Sequence, residues 1–143
     1  MNADVVKVLI DTYLTQWSEL LDLSTLKKVD IEAGDKLASE LAYEFYEAGY
    51  AGDPASLAVF CFVYLESPDD LIPHKLMNLT NEVAWHYSKS DVEALPSIVP
   101  VVLYNGEQEW VPKNLKEIYS SNQLIPGFYF EFIDLKRQFN TIV

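Results

Sequence analysis

Glu66 is the residue in this chain whose type and position most plainly call for chemistry. It closes the run SLAVFCFVYLE, Ser56 to Glu66, in which nine consecutive apolar or aromatic residues lead straight into a carboxylate. A run of that length, rich in Val, Phe and Tyr and bounded by turn formers, reads as a strand covered on both faces. A carboxylate at the end of such a strand must be paired, coordinate a cation or stand where water reaches it, because an unpaired buried charge is very costly. Purely structural roles are open to it as well: capping the helix that follows, or pairing with Lys75. Glu40 and Glu44 fit a solvated strand face, and Asp69 and Asp70 fit the favourable charges of a first helical turn. His74 and His86 lack partners at metal-ligand spacing. No Ser-His-Asp arrangement, phosphate-cradling glycine loop or cysteine-pair zinc motif occurs in the chain, which removes the commoner enzyme alternatives.

The elements that must position these groups can be read in order. From Ala3 to Leu21 the apolar residues Val5, Val6, Leu9, Ile10, Tyr13, Leu14, Trp17, Leu20 and Leu21 recur at helical spacing, and Asn2 precedes them as a cap, so this stretch is expected to be an amphipathic helix. The next segment, DLSTLKKVDIEAGD, mixes turn formers with small apolar residues and is expected to be a short helical turn or a loop. Leu37 to Tyr50 is ambiguous: at period 3.6 it makes a mediocre helix, and at period two it makes the strand preferred here, with Leu41, Tyr43 and Phe45 on one face and Glu40, Ala42, Glu44 and Tyr46 on the other. The turn Ala51-Gly52-Asp53-Pro54 then joins this strand to the central run as a hairpin. Ser67 and Pro68 are expected to open a helix that continues from Leu71 to Tyr87, with Pro73 tolerated only in a first turn or as a small kink.

A second apolar strand, Ser97 to Asn105, follows, and Asn105-Gly106 marks a turn. Pro100 cannot donate to a ladder, so one side of this strand is unpaired or its regular pairing begins after the proline. A short polar helix from Asn114 to Tyr119 and a last strand from Gly127 to Leu135, with Phe128, Phe130 and Phe132 on one face, complete the pattern. Helix, two strands, helix, strand, short helix and strand make an α/β arrangement around a mixed sheet.

Composition bounds the function. With 143 residues, half of them apolar, the chain can bury a sizeable core and reads as one domain, 1–143. It has no apolar run long enough for a membrane helix and no signal-peptide pattern, so no membrane partner and a cytoplasmic location are expected. Cys61, the lone cysteine, lies inside the central strand and reads as a small core residue. The net charge is −12, from 22 acidic against 10 basic residues, and Arg137 is the only arginine. A protein that grips a phosphate backbone usually presents a basic stripe. None is present here, so the overall field should repel nucleic acid unless a bound cation intervenes.

Three stretches carry a family resemblance. LPSIVPVVLYNGEQEW, Leu95 to Trp110, resembles the leucine-proline, apolar strand, Tyr-x-Gly, tryptophan signature of the YhgA-like transposases, also called recombination-promoting nucleases. SELLDLSTLKKVD, Ser18 to Asp30, and YLESPDDLIPHKLM, Tyr64 to Met77, agree with the same family in order and spacing. The resemblance covers nearly the whole chain and reaches the N-terminal, nuclease-like part of the family. It implies the PD-(D/E)XK nuclease superfamily and a restriction-endonuclease-like fold, a mixed sheet of αβββαβ type flanked by helices. It also implies magnesium-dependent cleavage of DNA phosphodiesters, in which strand-end carboxylates hold the Mg2+ through oxygens and the ion lowers the pKa of a bound water.

Residue by residue, the resemblance assigns Glu66 to the strand-end glutamate, Glu40 to the upstream aspartate near Ser39 and Lys75 to a basic position where the family commonly has Arg. Glu66 runs directly into Ser67, whereas the family inserts one residue and a Gln that orients the attacking water. Leu79 replaces an aromatic residue. These departures predict a nuclease-like domain that is catalytically impaired and acts through interaction, as a homodimer or with a related nuclease subunit. Two alternatives stand beside it. One is an active Mg2+-dependent DNA endonuclease with catalytic Glu66, Glu40 and Lys75 and metal ligands Glu66, Glu40 and Asp69 or Asp70. The other is an acidic decoy that mimics nucleic acid.

Overall fold

The central apolar run forms β3, Asp53–Leu65, and its side chains alternate between two cores. Val59, Cys61 and Val63 point to one side of the sheet, and Ala58, Phe60 and Phe62 to the other. All six are fully buried. A strand covered on both faces needs no polar alternation, which is why the run reads as continuous hydrophobicity. The computed structural model describes residues 1–34, 40–90, 94–119 and 127–143. Leu37 to Ser39 of the expected second strand lie outside the described residues.

One face is covered by α1, Ala3–Tyr13, and α2, Thr15–Leu20. The single helix expected from Ala3 to Leu21 is therefore two, broken at Leu14 (φ −118°, ψ 51°), whose buried side chain joins Val6 and Ile10 in the core. Asn2 caps α1 by accepting a 3.0 Å hydrogen bond from the Val5 amide. The other face is covered by α3, Ile72–Ser88, through Ile72, Leu76, Leu79 and Val83. Its start corrects the expectation. Ser67 is exposed and does not cap it; Leu71 is the N-cap residue, and Pro73 sits in the first turn, where its missing N–H costs nothing. Asp69 lies before the helix rather than inside it, accepting from the Leu71 amide at 3.0 Å and pinning the entry of the chain.

Among the described residues the sheet has six strands in the order β1-β2-β3-β4-β5-β6. β1 (Leu21–Val29), β2 (Ala42–Tyr50) and β3 form an antiparallel meander. After α3, β4 (Ser97–Tyr104) pairs parallel to β3, and β5 (Glu131–Asp134) parallel to β4. β6, Phe139–Ile142, turns back antiparallel beside β5.

Two of these strands depart from the sequence reading. The segment expected to be a turn or loop is β1. Its turn formers do make a local turn, with Ser24 N–H on the Asp22 carboxylate and Thr25 Oγ1 on the Asp22 carbonyl, but this is a bulge inside a paired edge strand, where the register shifts between Asp22 and Lys27. β6 follows a tight turn through Gln138 (φ 55°) and had no counterpart in the reading. The order α, three strands, α, strand is the αβββαβ core that the resemblance implies, so the chain has an α/β fold, its mixed sheet flanked by helices, that is compatible with the restriction-endonuclease-like fold.

The expected effect of Pro100 is also found. Pro100 pairs with Cys61 on the β3 side, and pairing to β5 begins only at the next residue, Val101 opposite Glu131. At the other end of β4, Asn105-Gly106 does not make a hairpin, because the neighbouring strands run parallel. Gly106 is required there for space: a Cβ at this position would clash with the hydroxyl end of the Tyr104 ring. That ring packs edge-on against Trp110, 5.2 Å between centroids, and its hydroxyl donates to the Gln108 carbonyl at 2.6 Å. The short helix is a 3₁₀ turn, Leu115–Ile118, held by a reciprocal pair of bonds between Asn114 and Glu117.

Candidate functional site

The end of the sheet where β2 begins and β3 finishes is where the sequence places its catalytic candidates. The β2–β3 ladder runs in register to Ala42 opposite Tyr64. Two more residues of pairing would set Glu40 against Glu66, but the chain leaves the strand at Leu41, and Glu40 is helical and exposed. Glu66 is exposed too, and among the described residues it has neither a hydrogen-bond partner nor an ion pair. It is thus a strand-end carboxylate that water reaches, which answers the burial question its position raised.

Lys75 pairs with Asp69 at 2.8 Å, both side chains partly buried, and not with Glu66. Of the four residues assigned by resemblance and pattern, the structure therefore brings together Lys75 and Asp69. His74 bonds Tyr119 at 3.1 Å and lies beside Asn78. Tested against a hard cation, the described residues alone do not supply a donor set. Among the described residues no three Asp, Glu, His or Cys side chains converge to hold a metal ion, whereas Mg2+ takes near-octahedral oxygen coordination from carboxylates and waters.

What occupies the α1-side face of this end is a cluster the sequence reading missed. Glu44, expected on a solvated strand face, keeps only 17% of its side chain exposed. Its carboxylate accepts from Lys28 Nζ at 3.0 Å, from the Met1 amino group at 3.2 and 3.3 Å, and from the Tyr64 hydroxyl in a short bond. The Tyr46 hydroxyl adds a 2.9 Å bond to the Met1 carbonyl. Burial alone would push the Glu44 carboxyl up; the bonds from Tyr64, Lys28 and the Met1 amino group outweigh it and hold the group below its ordinary range. Burial and the bond to Glu44 push the Tyr64 phenol far up, and the same partner raises Lys28.

The opposite face repeats the pattern around Glu47, which takes the Tyr87 hydroxyl at 2.6 Å and Lys27 at 3.2 Å. Each face of β2 thus carries a glutamate served by one tyrosine and one lysine of β1. The signal was present as Lys27-Lys28 and the period-two spacing of β2, but it is usable only once β1 is known to be a strand.

Arg137, the sole arginine, is also committed internally. It bonds the fully buried Asp134 at 3.0 Å and the Gly106 carbonyl at 3.3 Å, and the Asp134 carboxylate accepts the Arg137 amide as well. This clamp ties the β5–β6 turn to the loop after β4. Cys61 is buried with its thiol pushed up to about 12 by burial, so it is inert, as expected of a core cysteine. Among the described residues no helix is long and apolar enough to cross a membrane.

The αβββαβ order and the six-stranded mixed sheet flanked by helices are compatible with the restriction-endonuclease-like class. The chain belongs to the family described as "Putative transposase, YhgA-like", whose model matches residues 2–141. No curated protein and no solved structure matches the chain.

Proposed function

We propose that this chain is a nuclease-fold member of the YhgA-like family that acts through interaction with other macromolecules and does not cleave phosphodiesters. The observation that carries this reading is the state of Glu44. A carboxylate offers about four lone-pair sites, and those of Glu44 face Lys28, Tyr64 and the Met1 amino group. A cation entering there would have to displace two positive groups. Glu66, the residue that resemblance assigns to the metal, belongs to no group of three metal-capable side chains among the described residues. The charge balance supports the same reading, since a net −12 chain whose only arginine is clamped to Asp134 has no guanidinium to offer a phosphate.

The test is a cleavage assay on plasmid and single-stranded DNA with Mg2+ and with Mn2+ at high protein concentration. No cleavage is expected above the protein-free control, and Glu66→Gln should leave that background unchanged. Metal-dependent cleavage abolished by Glu66→Gln would overturn the proposal in favour of an active endonuclease built on Glu66, Glu40, Lys75 and Asp69.

A further inference from the structure

A second carboxylate stands in a different setting at the far end of the parallel strands from Glu66. Glu131 opens β5 and is 6% exposed. Among the described residues it has one partner, the Gln16 side-chain amide, which donates to Oε1 at 3.1 Å, and no lysine, arginine or histidine approaches it. Burial alone pushes its carboxyl above the ordinary range. No buried side-chain oxygen or nitrogen of the described residues is both sealed from solvent and without a bond. Oε2 accepts no bond from the described residues, and Glu131 lines the adjoining space.

That space is a pocket of about 200 Å³. It exists because Pro100 delays the pairing of β4 with β5, leaving Ile98 to Pro100 and Tyr129 to Phe130 facing each other without a ladder between them. Trp17 of α2 and Tyr129 supply aromatic walls, and Ile142 of the edge strand β6 forms part of the rim. Tyr129 is 73% exposed and Ile142 57%, so the rim is apolar and open. The volume is smaller than the roughly 300–1,000 Å³ typical of sites for drug-sized ligands, which suits a single side chain and not a nucleotide.

The geometry points to this pocket as a recognition site for one lysine or arginine side chain of a partner protein, with Glu131 as the counter-ion and Trp17 and Tyr129 packing on the stem and cationic head. A buried carboxylate without a positive partner is complemented by a cation, and aromatic faces add to that attraction when water is excluded. The acidic surface of the chain steers basic segments toward it. Because β6 is an edge strand among the described residues, an extended partner segment can lie beside it while presenting a side chain to the pocket. The site is independent of whether the Glu66 end cleaves DNA.

Nuclear magnetic resonance tests it on the whole chain, following the Gln16 side-chain amide and the Trp17 indole N–H. The probes are the blocked pentapeptide Ala-Ala-Lys-Ala-Ala, its arginine and norleucine counterparts, and n-butylammonium. Saturable shifts are expected with the lysine and arginine peptides, at least tenfold tighter than with norleucine, and Glu131→Gln should weaken them at least tenfold. Tyr129→Ala, at an exposed position, should weaken them severalfold without touching the core, and so tests the site even if Glu131→Gln fails to fold. Absence of shifts, equal affinity for the norleucine peptide, or affinity unchanged in both variants would overturn the site. Affinity for n-butylammonium equal to that for the lysine peptide would overturn the protein partner and assign the pocket to a free amine.

Discussion

Glu44 and Glu131 lie on the same face of one sheet, and the chain treats their charges in opposite ways. Glu44, near the beginning of β2, is surrounded by donors: an ammonium, the Met1 amino group and a phenol. Glu131, at the beginning of β5, is more deeply enclosed and has a single amide. A carboxylate with its partners built in is held charged and has little capacity for anything else. One that is enclosed without a counter-charge is held at a cost, and that cost is recovered when a cation arrives. Residue type alone would rank the two alike; the difference lies in which neighbouring strands bring lysines.

The largest effect is expected at Glu44. Glu44→Gln removes the charge on which Lys28 and Tyr64 depend while keeping the shape, and should destabilise the fold by about 2 kcal/mol, the range for hydrogen bonds to charged groups. Urea unfolding measures it, and a change below the error of the extrapolation would mean that the cluster is decorative. Glu131→Gln should act in the other direction. It retains an acceptor for Gln16 and removes an enclosed charge, so stability is expected to rise by about 0.5–1 kcal/mol. A loss of stability there would break the contrast.

The pH dependence should separate the two further. The folded pKa of Glu131 is raised, so its penalty is present at neutral pH and is relieved as pH falls through that raised value toward the ordinary 4.5. The folded pKa of Glu44 is lowered, so its contribution is present above 4.5 and is lost as pH falls below that value through the folded pKa. On acidification the wild-type chain should therefore gain slightly before it loses. Glu131→Gln should erase the gain and Glu44→Gln should flatten the loss, as read from unfolding midpoints across the range. The smallest effect belongs to Lys28→Met. The lysine is half exposed, and an exposed ion pair contributes little and is screened by salt. If this variant matched Glu44→Gln in size, the ammonium and not the phenol would be the principal partner.

Much of the fold was legible because it rests on burial. β3 from Leu57 onward is an unbroken apolar run and β4 is largely apolar, α1 and α3 show helical spacing, and β2 and β3 form the expected hairpin, its turn confined to Ala51-Gly52 because β3 already begins at Asp53. β1 and β6 were not legible from periodicity, since both lie at sheet edges with one polar side, where side-chain pattern weakens and pairing is decided by the neighbour. The candidate site suffered from the same gap. Glu66 could be placed at a strand end, but Glu44 reads as solvated until Lys28 is known to lie on an adjacent strand. The attachment of Lys75 to Asp69 was likewise invisible, because it depends on α3 starting at Ile72 and not at Pro68.

The run by which this chain is most readily recognised, Leu95 to Trp110, contains none of the residues assigned to catalysis. Its Tyr104, Gly106 and Trp110 form a latch: the glycine is there because the tyrosine ring needs the room, and the tryptophan closes against that ring. A likeness carried by this run therefore reports how a β-strand terminus is packed and is silent on the reactive groups at the other strand ends.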